Sequence, residues 1–328
     1  MKAVFITEFG TGDNLVYQDV PDLRAPIEDE AIVRVHAAGL NRADLLQRRG
    51  AYPPPAGYSP YIPGLEFAGV IAAVGRDVDR CRIGDRVFGI TSGEGQAEYL
   101  LADARHLARI PDNLSFNEAA AIPEAFMTAY DAVFAQGKIK EGETLLIHAV
   151  GSGVGLAAMQ LATSAGALVI GTSRTDSKLS RCKKLGLIEG IQIGAEPDFA
   201  ESVIKITAGV GADVILDLVG AAYFEQNLEA LAIKGRLILV GLTSGRQAEF
   251  NLGLALQKRA TIIGTILRAR AADEKAQLTQ LFSTEVLPLL SDGRVTPNLD
   301  MVFAATDVFA AYQYLESNQS FGKVVLEF

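Results

Sequence analysis

Leu145-Leu-Ile-His-Ala-Val-Gly-Ser-Gly-Val-Gly-Leu-Ala-Ala-Met-Gln160 is the stretch that decides the fold of this chain. The apolar run Leu145–Ile147 reads as a buried strand. A glycine-rich turn follows, then a helical pattern through Leu156, Met159, Gln160 and Leu161. Gly153, Gly155 and Ala158 have the G-x-G-x-x-A spacing in a strand–turn–helix context. One small residue makes the tight turn, one admits a pyrophosphate to the backbone, and one lets the helix lie close to the sheet. Free amides and the dipole at the helix start, over Ser152, Gly153, Val154 and Gly155, then hold the phosphates. An ordinary tight turn between strand and helix also favours glycine, so the following residues carry weight.

The next strand is Leu168-Val-Ile-Gly-Thr172, followed by Ser173-Arg-Thr-Asp-Ser-Lys178. A domain specific for NAD places an acidic residue about 20 positions past the glycines, on the ribose 2′-hydroxyl. Here Ser173 and Arg174 occupy that place, and Lys178 lies one helical turn on. A hydroxyl and two cations suit a 2′-phosphate, hence NADPH; Asp176 acts against it, and a solvated loop is the alternative.

At 328 residues the chain is long for one domain. The net charge of −9 disfavours a nucleic-acid surface. Cys81 and Cys182 are too few for a disulfide framework or a thiolate zinc site, and a reduced, cytoplasmic protein is expected. The start, Met1-Lys-Ala-Val-Phe-Ile, has no signal-peptide core, and no run suits a membrane span.

Residues 1–123 are rich in short β signals. Ala31–His36 alternates as a half-buried strand does, Pro63–Gly75 reads as a strand pair punctuated by glycines, and Arg82–Gly89 as a turn and strand. Together they predict an antiparallel, partly closed β domain. Residues 124–266 alternate helices with apolar strands, a doubly wound α/β unit with strands at Thr144–His148, Leu168–Thr172, Gly190–Ile193, Val214–Asp217, Arg236–Val240 and Thr261–Thr265. Residues 267–328 bring a helix over Ala272–Ser283 and a β ending, Phe321–Phe328, expected to return to the first domain.

Asn41-Arg-Ala-Asp-Leu-Leu-Gln-Arg48, Tyr52-Pro-Pro-Pro55, Ile122-Pro-Glu-Ala-Phe-Met-Thr-Ala-Tyr130, the glycine turn, Thr265-Ile-Leu-Arg-Ala-Arg270 and Gly322-Lys-Val-Val-Leu326 occur in this order. In them the whole chain resembles the zinc-independent quinone oxidoreductases of the medium-chain dehydrogenase/reductase superfamily, and among these the p53-inducible group. The resemblance implies a GroES-like β-rich domain, a Rossmann domain, an active-site cleft between them, NADPH as cofactor, a quinone or enone as small-molecule substrate, and a homodimer. Many relatives have a tyrosine beside the adenosine phosphate where Ile193 stands here.

By the same resemblance, the zinc alcohol dehydrogenases place a cysteine where Asn41 stands and Gly-His-Glu where this chain reads Gly64-Leu-Glu66. The lobe for structural zinc is missing as well. His36, His106 and His148 have no metal spacing, and no metal site is expected. Without a Lewis acid, alcohol oxidation is disfavoured and an already electrophilic acceptor favoured. Glu66 is expected to pair with a cation across the cleft.

Asn41 and Tyr52 are the candidates to meet that acceptor, one as an uncharged amide donor, the other as a phenol on a flat apolar face. Their alternatives are a turn residue and a loop aromatic packed on prolines. Thr128, by resemblance, touches the nicotinamide or its ribose. Arg268 clamps cofactor or substrate, or is a solvated cation. Gly241 and Thr243 follow a strand end and line the nicotinamide side. The leading reading is an NADPH-dependent quinone reductase. The alternatives are an enone or enoyl-thioester reductase with Tyr52 as proton donor, and a non-catalytic NADPH-binding or RNA-binding protein. Thr261–Thr265 is the expected dimer edge.

Overall fold

The computed structural model describes residues 1–328, which form two compact units. One comprises Met1–Met127 and Leu267–Phe328, the other Thr128–Ile266.

The first unit is built on the strand Glu30–Leu40. It pairs antiparallel with Glu66–Val74, Tyr99–Asp103 and Lys323–Glu327. Lys323–Glu327 in turn pairs parallel with Leu299–Ala304. On the other side, Arg86–Ile90 and Leu107–Arg109 extend the sheet. Ala31, Val33 and Val35 point into a core with Phe67, Ile71, Val87 and Leu100, while Arg34 between them is exposed. This is the period-2 alternation of a strand with one wet face. Pro63–Gly75 corrects the sequence expectation: it holds one continuous strand, Glu66–Val74, not a pair. Gly69 is no turn there. A Cβ on it would lie 2.1 Å from the Arg34 carbonyl oxygen, so glycine lets two strands close where their register shifts.

The second unit is a six-stranded sheet in which every pairing is parallel. Across the sheet the strands run Glu189–Gln192, Leu168–Ser173, Thr144–Ile147, Ala212–Asp217, Leu231–Leu239 and Thr261–Gly264. The chain thus starts in the middle, winds one way, then returns and winds the other, as a doubly wound nucleotide-binding sheet does. Leu145, Leu146 and Ile147 are 0% exposed. Each contributes about 1.5–3 kcal/mol of burial, which explains the unbroken apolar run. Thr261–Gly264 is an edge strand. No helix of the chain is long and apolar enough to cross a membrane.

Candidate functional site

In the second unit, Ser152 caps the helix Gly153–Ser164, its Oγ accepting from the Gly155 amide at 3.1 Å. Gly155 is required by packing: a Cβ there would lie 2.7 Å from the carbonyl oxygens of Ala149 and Val150. Gly153 and Val154 are half-buried in the first turn, where amides have no intrahelical acceptor. Ser173 ends the neighbouring strand, with Oγ 3.3 Å from the Thr175 amide. Arg174 is exposed beside it, and Lys178 lies half-buried on the helix Asp176–Lys183. The amides and the helix dipole fit the pyrophosphate of a dinucleotide, and the cations Arg174 and Lys178 lie just past the end of the next strand. Ile193 is buried in the core with Ile191 and Phe199. The aromatic near Arg174 is Tyr223: burial raises its phenol, and the Arg174 charge partly offsets this.

Four strand-end and helix residues continue inward as a chain of buried polar groups. His148 Nδ1 is 2.9 Å from Thr172 Oγ1 and its Nε2 is 2.6 Å from Asn227 Oδ1. Asn227 Nδ2 donates to Asp217 Oδ2 at 3.0 Å, and Asp217 Oδ1 accepts the amides of Val219 and Gly220. Burial pushes His148 down to about 4 and Asp217 up to about 6. His148 is therefore a neutral ring that donates to Asn227 and accepts from Thr172. Gly241 packs on Leu218, where a Cβ would lie 2.7 Å from the carbonyl oxygen, and the exposed Thr243 reaches the same oxygen at 3.4 Å. Thr128 is half-buried on the helix Pro123–Tyr130.

Asn41, Tyr52 and Arg268 belong to the first unit. Asn41 is the N-cap of a helix over Arg42–Arg48, which the sequence reading missed. Asp44 Oδ2 accepts the Asn41 backbone amide at 2.8 Å. Its Oδ1 accepts from Lys323 Nζ at 2.6 Å and its Nδ2 donates to Glu66 Oε1 at 2.8 Å. A longer contact runs from Nδ2 to the Gly39 carbonyl at 3.5 Å. Glu66, 0% exposed, also pairs with Lys323 Nζ at 2.5 Å and accepts the Glu124 amide at 2.8 Å. Its cation is thus Lys323, on a strand of the same unit, not one across a cleft. Gly39 makes the room, since a Cβ on it would fall 2.3 Å from Glu66 Oε1.

Three carboxyl groups meet here: Asp44, Glu66 and Glu124. Burial raises Asp44 to about 6, against the pull of the Asn41 and Gly64 amides. Burial and the neighbouring Glu66 raise Glu124 to about 8. No group of three or more His, Cys, Asp or Glu side chains has an arrangement able to hold a metal ion.

Tyr52 lies half-buried beneath the Arg268 guanidinium, 4.9 Å from the ring centroid. Arg268 is 4% exposed. It donates to the carbonyls of Ser92 at 2.8 Å and Tyr52 at 2.9 Å, and to Gln47 Oε1 at 2.5 Å. Lys275 donates to the Arg268 carbonyl at 2.8 Å and to Ser92 Oγ. The structure therefore places Arg268 inside a buried polar frame around the Tyr52 loop; it is not a solvated cation. Burial raises the Tyr52 phenol. Lys323, Glu124, Gln47 and Lys275 were not singled out from the sequence.

Two compact units, one with a six-stranded parallel sheet and a glycine turn at its centre, the other a β-rich body, define a class. The chain belongs to the medium-chain dehydrogenase/reductase superfamily: residues 27–128 match the alcohol dehydrogenase GroES-like domain and residues 153–284 the zinc-binding dehydrogenase family. It is an oxidoreductase of that family. Quinone oxidoreductase-like protein 2 of Rattus norvegicus is 33% identical over 300 residues, spanning 90% of this chain and 84% of that protein. A mycobacterial protein solved in complex with NADPH is 28% identical with a TM-score of 0.89, covering 100% of both chains. CurK enoyl reductase is 30% identical with a TM-score of 0.87, covering 99% of this chain and 98% of that one.

Proposed function

We propose that the chain is an NADPH-dependent quinone reductase that uses neither metal nor flavin. The observation that carries this reading is the Asn41–Glu66–Lys323 array. The cation between the Asn41 amide oxygen and the Glu66 carboxylate is an ammonium, held at 2.6 and 2.5 Å. An ammonium does not ionise an alcohol as a Lewis-acidic metal does, so an already electrophilic acceptor suits the site. Similarity to quinone oxidoreductase-like protein 2 supports the same acceptor class.

In this reading Ser152, Gly153, Val154 and Gly155 hold the pyrophosphate, and Ser173, Arg174 and Lys178 hold the 2′-phosphate. Thr128, Gly241 and Thr243 lie toward the nicotinamide, which supplies a hydride when bound. Tyr52 offers its ring and phenol to the acceptor. Asn41 offers the N–H that otherwise makes only the long contact to Gly39. Arg268 holds the Tyr52 loop. The same reading makes the protein a cytoplasmic homodimer acting on small molecules.

The test is oxidation of NADPH and NADH against ortho-quinones, para-quinones and enones, with and without a chelator. Rapid quinone reduction with NADPH, insensitive to the chelator, is expected. Turnover with enones alone would replace the reading with its alternative, an enone or enoyl-thioester reductase, which the similarity to CurK enoyl reductase favours.

A further inference from the structure

Reduction of a quinone or enone by hydride leaves negative charge on the acceptor, and a proton must neutralise it. The carboxyl cluster of the first unit differs sharply from member to member in how its charge is satisfied. Glu66 has the Asn41 amide and Lys323 on one oxygen and the Glu124 backbone amide on the other. Asp44 has the amides of Asn41 and Gly64. Glu124 begins the helix Pro123–Tyr130 with its own amide tied to Glu66, yet no hydrogen-bond donor acts on its carboxyl. The residue as a whole is half-buried. Among three crowded carboxyl groups, the one without donors is the one that keeps a proton.

We propose that Glu124 is the proton donor to the acceptor, a role that rests on the reductase reading above. The Glu124 O–H bond breaks as an O–H bond forms on the acceptor oxygen, or a C–H bond on the α-carbon of an enone. Hydride and proton together complete the two-electron reduction, and the carboxylate regains a proton from water. The groups that bear on it are Glu66 and Asp44, which oppose its ionisation, Lys323 and Lys275, which favour it, and Arg268 and Tyr52, which it influences in turn. Its value of about 8 lies close to neutral pH, where a general acid works best. Tyr52, raised above the ordinary phenol range, is the weaker acid.

Glu124→Gln and Glu124→Asp are compared with wild type in pH profiles of kcat/KM for quinone and enone. In parallel, side-chain carboxyl carbons are titrated by NMR in labelled protein. Wild type should lose activity above about pH 8. Glu124→Gln should fall at least about tenfold below that pH and lose the limb, with partial recovery in Glu124→Asp. One carboxyl carbon should titrate near pH 8 and vanish in Glu124→Gln. An active wild type whose profile Glu124→Gln leaves unchanged in shape overturns the proton donor alone. The lack of any carboxyl titrating between about pH 7 and 9 overturns it whatever the acceptor. A wild type inert toward both acceptor classes removes the reductase reading and the donor role with it.

Discussion

The Arg268 guanidinium covers the face of the Tyr52 ring at 4.9 Å and at the same time donates to the Tyr52 carbonyl at 2.9 Å. One side chain thus fixes both the ring and the backbone of a proline-rich loop. Arg268→Lys keeps a charge but loses the planar fork that reaches Ser92, Tyr52 and Gln47 together. The expected outcome is a loss of about 2–3 kcal/mol in urea unfolding and a raised KM for quinone. NADPH affinity, followed by fluorescence titration, should stay within about twofold of wild type. A tenfold weaker NADPH complex with unchanged quinone KM would instead return Arg268 to the cofactor.

Lys323 compensates a carboxylate that is 0% exposed. Lys323→Met leaves Glu66 buried without its cation and should cost about 3–5 kcal/mol. Adding Glu66→Gln should restore much of that, because a neutral amide replaces the orphaned charge. Urea unfolding of both singles and the double gives the coupling; additive losses would contradict the pairing.

The parallel sheet was legible because its strands are covered on both faces and so read as unbroken apolar runs, Leu145–Ile147 above all. The helix Arg42–Arg48 was not, because polar Asp44, Gln47 and Arg48 share its buried face with Leu45 alone, which leaves no apolar period. The helix Leu252–Lys258 escaped for the opposite reason: Leu252 and Leu256 are apolar yet exposed, so its pattern does not mark a buried face. The capping role of Ser152 was not read from the sequence, where it figured only among the turn's phosphate-holding amides. Lys323 could not be assigned to Asn41, since 282 positions separate them and only the sheet brings them together. Glu124 lies inside the family-like stretch Ile122–Tyr130, but its meaning depends on Glu66 and Asp44 beside it.

Arg174 is exposed at the end of the second cofactor strand, next to Ser173. If it meets a 2′-phosphate, Arg174→Ala should weaken NADPH by about tenfold, roughly 1.4 kcal/mol, while NADH changes little. Raising salt should narrow the NADPH difference between wild type and variant. Equal losses for both cofactors would mean that the guanidinium does not read that phosphate.

Thr261–Gly264 leaves one side of the parallel sheet unpaired, with Ile262 and Ile263 half-buried on it. Exposed apolar edge strands invite a second copy. Light scattering at micromolar concentration should give a dimer, and Ile263→Lys should shift it to monomer. A wild-type monomer under those conditions would defeat the assignment.

Glu124 also ties stability to pH. Its carboxyl holds a proton up to about 8 in the folded chain, against 4.5 as the ordinary value. A value raised by folding contributes stability that is fully present below 4.5 and is lost as pH rises through about 8. Glutamine imitates the protonated acid and cannot ionise, so Glu124→Gln should escape that loss. Relative to wild type it should therefore gain stability between pH 5 and pH 9, on the order of 2–4 kcal/mol. Asp44, Asp217 and His148 titrate in both proteins and cancel in the difference to the extent that they act independently. Urea unfolding at intervals across this range is the measurement. Parallel curves would mean that the folded chain pays nothing to ionise Glu124, and its carboxyl would then be an ordinary surface anion.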